Sequence, residues 1–289
     1  MMAPVNFQSD VSALMAPFQG DGPGIVVAVT KDGTEIFSST YGMANINFGV
    51  PMDRKTIIRI GSQTKQFTVL LILLLAAEGR LSLSDQVQDH LPYVPEFDHP
   101  VTLAHLASNT SGLRDFLEAM MFSGLPLGAP STRQTARDAI SRQDGLNFVP
   151  GSAMIYSNTG FFLLSDIIEK IEGAPFDAVL KRRLTEPLGM PDTSMMLRDS
   201  HVQKRLATHY TRQGGSWVHL GWGLELGGEG GMVSTSMELE NALCQIHPDH
   251  CIHHLPSSPF RRFQQHDFGT SRCRLGRAAT IPSSSTPKP

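Results

Sequence analysis

Residues 60–79 read IGSQTKQFTVLLILLLAAEG, a short polar turn that runs straight into a long apolar segment. From Ser62 onward, Phe67, Val69, Leu70, Leu71, Leu73, Leu74 and Leu75 would clothe a helix in apolar side chains nearly all round, which predicts that the helix is buried. Gly79 is its natural C-terminal stop. The unbroken apolar run is about half the roughly 20 residues that a bilayer crossing needs, so a core helix is expected and a membrane span is not. At its start, Ser62-Gln63-Thr64-Lys65 has the form Ser-x-x-Lys. Residues three apart share one helix face, so the lysine amine can sit beside the serine hydroxyl. A serine hydroxyl is a poor nucleophile at neutral pH and needs an adjacent base; a lysine serves as one only where burial or neighbouring cations disfavour its charged form. The apolar helix supplies such a setting, and its N-terminus adds free N–H groups suited to an oxyanion. Taken alone, the four-residue motif is common by chance.

Upstream, a short segment that can be helical precedes Gly24 to Thr30 (GIVVAVT) and Glu35 to Thr40 (EIFSST), which flank Lys31-Asp32-Gly33. Asp-Gly between two apolar runs predicts an antiparallel strand pair. Downstream, from about Leu81 to Gly189, helical stretches alternate with Gly, Pro and Asn punctuation, and Phe161 to Ile171 (FFLLSDIIEKI) is the clearest amphipathic one. Strands, then a helical insertion, then Gly-rich and strand-like sequence from Trp217 to Thr235 argue an α+β layout.

A second constellation, Tyr156-Ser157-Asn158, lies before that amphipathic helix and after Pro150-Gly151-Ser152. A Tyr-x-Asn turn can aim a phenol and a carboxamide at Ser62: the tyrosine to share a proton with Lys65 and protonate a leaving group, the asparagine to hold a substrate carbonyl and orient the lysine. Read singly, Tyr156 is a half-buried aromatic and Asn158 a turn residue.

Together these segments resemble the penicillin-recognising serine hydrolases, in particular the class C β-lactamase and D-aminopeptidase branch. GPGIVVAVTKDGTEIFSSTYGMANINFGVPM resembles the first hairpin of that family, IGSQTKQFT its nucleophile segment and SNTSGLRDF (Ser108 to Phe116) its loop before the helical region. PGSAMIYSNTGFFLLSDIIEK resembles its second motif and LGGEGGMVSTSMEL (Leu226 to Leu239) its Gly-rich turn into a helix, all in the family's order over roughly residues 22 to 243. Lys65-Gln66-Phe67-Thr68 and Ser111-Gly112-Leu113-Arg114-Asp115 are closest to D-aminopeptidases. The resemblance implies a β-lactamase/transpeptidase-like α+β fold, an antiparallel sheet with a helical subdomain over about 81–189. It implies an acyl-enzyme on Ser62, a proton shuttle through Lys65 and Tyr156, and substrate binding by Asn158. The substrate would be a small D-amino-acid amide or peptide, an ester or a β-lactam, with no metal or other cofactor.

The family's third element, Lys-Thr-Gly or His-x-Gly on a strand after the Gly-rich turn, is not found. His219-Leu220-Gly221 has the letters but precedes the turn at Gly227 to Gly231, and His266-Asp267-Phe268-Gly269 lacks the spacing. Loss of one oxyanion-hole donor typically costs about 2.7–4 kcal/mol of transition-state stabilisation. Several sheet strands are expected to be missing with it. The competing reading is therefore a catalytically impaired family member or ligand-binding module.

Beyond about Leu243 the sequence loses its periodicity and fills with His, Pro, Arg and Ser, with no glutamate. We read residues 1–243 as the hydrolase domain and 244–289 as a disordered tail or the product of a reading-frame change. In that tail His247, His250, Cys251, His253 and His254 form the one cluster worth weighing for zinc, without a scaffold to fix its geometry. Cys244, Cys251 and Cys273, an odd number gathered near the end, do not support a disulfide framework. The 289 residues carry a formal charge of -3 and no dense Lys/Arg run, so nucleic acid is not an expected partner. The first ten residues, MMAPVNFQSD, lack the pattern of a secretory signal, and a cytoplasmic location is expected. The sequence is silent on oligomeric state.

Overall fold

The computed structural model describes residues 7–31, 33–126 and 128–246. The chain opens with α1 (Phe7–Met15), then the strands β1 (Ile25–Lys31), β2 (Thr34–Tyr41), β3 (Met43–Asn45), β4 (Val50–Pro51) and β5 (Ile58–Arg59). The apolar helix α2 (Thr64–Ala77) follows. The helical region holds α3 (Val87–His90), α4 (Leu103–Ala107), α5 (Phe116–Phe122), α6 (Arg133–Ser141), α7 (Asn158–Glu172) and α8 (Phe176–Leu180). The last part comprises β6 (Ser194–Met195), β7 (Tyr210–Gln213), β8 (Ser216–His219), β9 (Met232–Ser234) and α9 (Ser236–Ile246).

Each of these strands pairs antiparallel, in four small sheets. β1 and β2 pair from Ile25 opposite Tyr41 to Lys31 opposite Thr34, with a bulge between Val29 and Thr30. The sheet that touches the site is three-stranded, with β9 between β5 and β6. Met232, Val233 and Ser234 are all buried, as expected of a central strand covered on both faces.

The main core lies in the helical region. Phe67, Leu71, Ile72 and Leu75 of α2 meet Phe162, Leu163, Leu164 and Ile167 of α7, all at most 1 % exposed. Full burial of such a side chain is worth about 1.5–3 kcal/mol, so the α2–α7 contact is a main source of the rigidity on which a site at their N-terminal ends depends. α2 stops where the sequence predicts: Gly79 takes φ +70°, and Arg80 N–H closes on the Leu75 carbonyl.

Among the described residues no helix is long and apolar enough to cross a membrane. α9 carries the chain past Leu243 to Ile246. Asp32, Cys251, Cys273, His266 and the His/Cys cluster lie outside the described residues, as does almost all of the segment from 244.

Candidate active site

Ser62 sits in a single tight turn, Gly61–Gln63, that leads into α2. The turn and the first turn of α2 bring residues three apart together, and Lys65 Nζ donates to Ser62 Oγ at 3.2 Å. Lys65 is 7 % exposed, whereas the Ser62 side opens to solvent. The amine makes two further hydrogen bonds, to Asn158 Oδ1 at 2.8 Å and to the Glu229 carbonyl at 2.5 Å. Two aromatic rings flank it, Tyr156 at 4.7 Å and Phe161 at 5.3 Å to the centroid. Tyr156 OH donates to Ser62 Oγ at 2.5 Å from the other side. Lys65 and Tyr156, from two motifs about ninety residues apart, thus meet at Ser62 Oγ, and Asn158 joins them through the lysine amine.

What aims Tyr156 and Asn158 is the loop Ser108 to Asp115. Asn109 adopts φ +59°, a left-handed conformation that asparagine tolerates better than most residues. Its side-chain Oδ1 accepts from Ser157 N–H at 3.1 Å and its carbonyl from Ile155 N–H at 3.1 Å. Asp115 caps α5 with Oδ1, accepting from Leu117 N–H at 2.8 Å and Glu118 N–H at 3.2 Å, while its Oδ2 accepts from the Asn158 N–H that opens α7. Thr159 Oγ1 donates to the Arg114 carbonyl at 2.8 Å and accepts from Phe116 N–H at 2.9 Å. Gly112 has φ +74°, and a Cβ there would strike the Phe148 carbonyl, so this loop needs glycine at that point.

The third wall is the turn Gly227 to Gly231, which brings the Glu229 carbonyl over Lys65. Thr68 Oγ1 donates to the Gly228 carbonyl at 2.7 Å, and Thr64 Oγ1 accepts from Met232 N–H at 3.1 Å. The Glu229 side chain is 1 % exposed. Burial pushes its carboxyl up from the ordinary carboxylate range, against the opposite pull of Arg133, the Gly227 N–H and Lys65. Behind it, Arg133 and Arg137 of α6 converge on Asp166 of α7; Arg137 Nε donates to Oδ2 at 2.8 Å and Tyr93 OH to the same oxygen at 2.6 Å. Burial, with Asp166 adding to it, raises the Tyr93 phenol well above the ordinary tyrosine value. Sequence reasoning passed over Glu229, Arg133 and Asp166. Their only trace was a charged residue within a glycine run and others on apolar helices.

An apolar cleft of about 410 Å³ begins at Lys65 and is lined by Gln66, Val69, Leu70, Leu73 and Phe161. His219-Leu220-Gly221 stands elsewhere in the hydrogen-bond pattern: His219 closes β8 with its ring edge-on to Tyr210, 6.0 Å between centroids, and Gly221 lies beside Asp199. Among the described residues no group of three or more His, Cys, Asp or Glu side chains is placed to hold a metal ion.

The family model described as Beta-lactamase matches residues 7–266. A D-aminopeptidase of Gluconobacter oxydans is 36% identical over 184 residues, 63% of this chain and 34% of that protein. A Beta-lactamase of Pseudomonas fluorescens is 30% identical over 198 residues, 67% of this chain and 51% of that protein. Among solved structures, the octameric penicillin-binding protein homologue from Pyrococcus abyssi superposes with a TM-score of 0.69 at 30% identity, covering 82% of this chain and 54% of that one. The chain therefore spans about a third of the length of the first relative and about half of the other two.

Proposed function

The chain belongs to the Beta-lactamase family, and from that premise we propose that it is a serine hydrolase that forms an acyl-enzyme on Ser62. Its fold is the β-lactamase/transpeptidase-like α+β fold. The substrate class we assign is a small D-amino-acid amide or peptide, or a related ester or β-lactam. Relatives named D-aminopeptidase and Beta-lactamase support that class, and the apolar cleft beside Lys65 suits an uncharged substrate group.

The observation that carries the proposal is the hydrogen-bond inventory around Lys65 and Ser62. A neutral amine has two N–H bonds and one lone pair. Lys65 Nζ donates to Asn158 Oδ1, the Glu229 carbonyl and Ser62 Oγ; once the amine gives up one proton, Asn158 and Glu229 hold the two N–H bonds that remain, and the lone pair replaces the N–H directed at Ser62 Oγ. In acylation, that proton passes to Lys65 as Oγ attacks the substrate carbonyl carbon. The carbonyl oxygen gains the charge beside the Ser62 N–H, in the turn that leads α2, the Gln63 N–H being already taken by the Ile60 carbonyl. Collapse breaks the bond to the leaving group, which takes the phenolic proton of Tyr156, and the proton held by Lys65 replaces it, the amine and the phenol being neighbours at Ser62 Oγ. Water then repeats the sequence in reverse to free Ser62.

Incubation with a fluorophosphonate or a fluorescent penicillin, followed by peptide mass analysis, tests the reading. A single adduct on Ser62, absent from Ser62→Ala, is expected; a folded chain that carries no adduct there would refute it. Labelling without turnover would favour the competing reading of a ligand-binding module, for which the position of His219-Leu220-Gly221 speaks.

A further inference from the structure

We propose that Glu229 is a positioning residue for Lys65, its carboxyl locking the glycine turn so that its own carbonyl oxygen stays on the lysine amine. The inference rests on the acyl-serine reading above and adds to it a residue outside Ser62, Lys65, Tyr156 and Asn158.

The turn is Gly227-Gly228-Glu229-Gly230-Gly231, four glycines around one side chain. Glycine loses more conformational freedom on folding than any other residue, so such a run does not hold one shape without outside restraint. At three of the four, Gly227, Gly228 and Gly231, a Cβ would meet a close neighbour, whereas Gly230 has room for one. A Cβ at Gly227 would collide with the Arg133 guanidinium, one at Gly228 would lie 2.6 Å from Thr68 Oγ1, and one at Gly231 would lie 2.6 Å from the Leu226 carbonyl. The turn closes through Gly230 N–H and Gly231 N–H on the Gly227 carbonyl, at 3.2 and 2.9 Å. Its one side chain then folds back: Glu229 Oε1 accepts from Gly227 N–H at 2.8 Å. The carboxyl thereby ties the first residue of the turn to the residue whose carbonyl meets Lys65 Nζ at 2.5 Å.

A merely convenient glutamate would not be kept at 1 % exposure, where a carboxyl is costly to bury. Its second oxygen, Oε2, and the neighbouring Arg133 Nε have no hydrogen-bond partner among the described residues. Hence the carboxyl is fixed from within the turn, by the Gly227 N–H and its own backbone N–H, and Arg133 backs it through its field. If the turn relaxes, the Glu229 carbonyl leaves Lys65, and Asn158 Oδ1 alone is left to hold the amine against Ser62 Oγ.

The test compares Glu229→Ala with Glu229→Gln, which keeps an oxygen at the position of Oε1. For each variant the rate of fluorophosphonate labelling at Ser62 is measured against probe concentration, per folded molecule, with the melting temperature in parallel. The expected result is a maximal labelling rate about 10²-fold lower in Glu229→Ala, the loss typical of a misplaced catalytic group, with the half-saturating probe concentration unchanged. Glu229→Gln recovers most of that loss. If Glu229→Ala does not fold, Glu229→Asp, which retracts the acceptor by one methylene, takes its place with the same expectation. A wild-type rate per folded molecule in the Ala or Asp variant, whatever the melting temperature, overturns the proposal, as does a Gln variant as slow as the Ala variant. A wild-type chain that does not label at Ser62 refutes the acyl-serine reading itself, which separates the two failures.

Discussion

Asp115→Asn separates the two tasks of one buried side chain. Asp115 Oδ1 takes two N–H groups at the start of α5, and Oδ2 takes the Asn158 N–H at the start of α7. An asparagine has one acceptor oxygen to offer. With that oxygen toward Leu117 and Glu118, its NH₂ faces a single donor, Asn158 N–H; turned the other way, it faces two. The first orientation is favoured, so the cap survives and the bridge to α7 becomes a donor–donor contact. A buried N–H left without a partner costs about 1–3 kcal/mol. Asp115→Ala forfeits the cap as well, a further loss of typically about 1 kcal/mol. In a domain of this size each kcal/mol lowers the melting temperature by roughly 2–4 °C, which thermal unfolding followed by circular dichroism resolves. Because Asn158 is the first residue of α7 and follows Tyr156 by two, the lost bridge also frees the segment that carries the phenol. A displacement of about 1 Å at a reacting group costs on the order of 10²-fold in rate. The expected outcome is that Asp115→Asn, with the smaller stability loss of the two, already shows most of the loss in Ser62 labelling. Labelling at the wild-type rate per folded Asp115→Asn molecule would refute the claim that this carboxylate aims the site.

Tyr156→Phe should leave stability within about 0.5 kcal/mol of wild type, as for other half-exposed positions, since Tyr156 is 52 % exposed, while acylation of Ser62 by an amide or ester falls by about 10²–10⁴-fold, the usual contribution of a positioned proton donor; a matching fall in stability would instead assign the phenol a structural role. A pH series on Glu172→Gln tests a second network. Burial alone would raise the Glu172 carboxyl, but Arg183, donating at 2.5 Å, and Arg80 more than offset it and hold it below its ordinary value of 4.5. A depressed carboxyl stabilises the fold above its unfolded-state value, and that contribution is lost as pH falls through the lower, folded-state value. The wild type should therefore lose stability below about pH 4.5 more steeply than Glu172→Gln, in urea unfolding at pH 7, 5, 4 and 3; parallel curves would show that the ion pairs contribute nothing.

The α-helical half of the molecule was legible because its signals are local. The apolar run after Ser62 and the FFLLSDIIEKI segment each declare a helix by their own periodicity, and Gly79 and Gly173 end α2 and α7 at φ +70° and +63°. The two site motifs, each contiguous, were legible through the family resemblance of the segments around them, since alone each has an ordinary reading. The buried ion pairs were not: Arg133, Arg137 and Asp166 look in sequence like solvent-facing charges on amphipathic helices. Only the packing of α6 against α7 turns them inward onto one another, and no periodicity reports which of two facing helices will bury its charges.

The same distinction accounts for the part of the site that sequence reading passed over. Ser62 and Lys65 are three residues apart and Tyr156 and Asn158 two, so each pair lies within one short motif that the family resemblance picks out. The third contact on the lysine comes from a backbone carbonyl, at Glu229, which any residue could supply and which leaves no residue-type signature. What sequence can carry is the means of holding that carbonyl still, here glycines wherever a Cβ would collide and one carboxyl folded onto the Gly227 N–H. A charged residue inside a glycine run, where solvent exposure would be the ordinary guess, is thus the mark of a turn that must close on itself. The lysine's direction is set as much by that closure as by the two motifs that name the site.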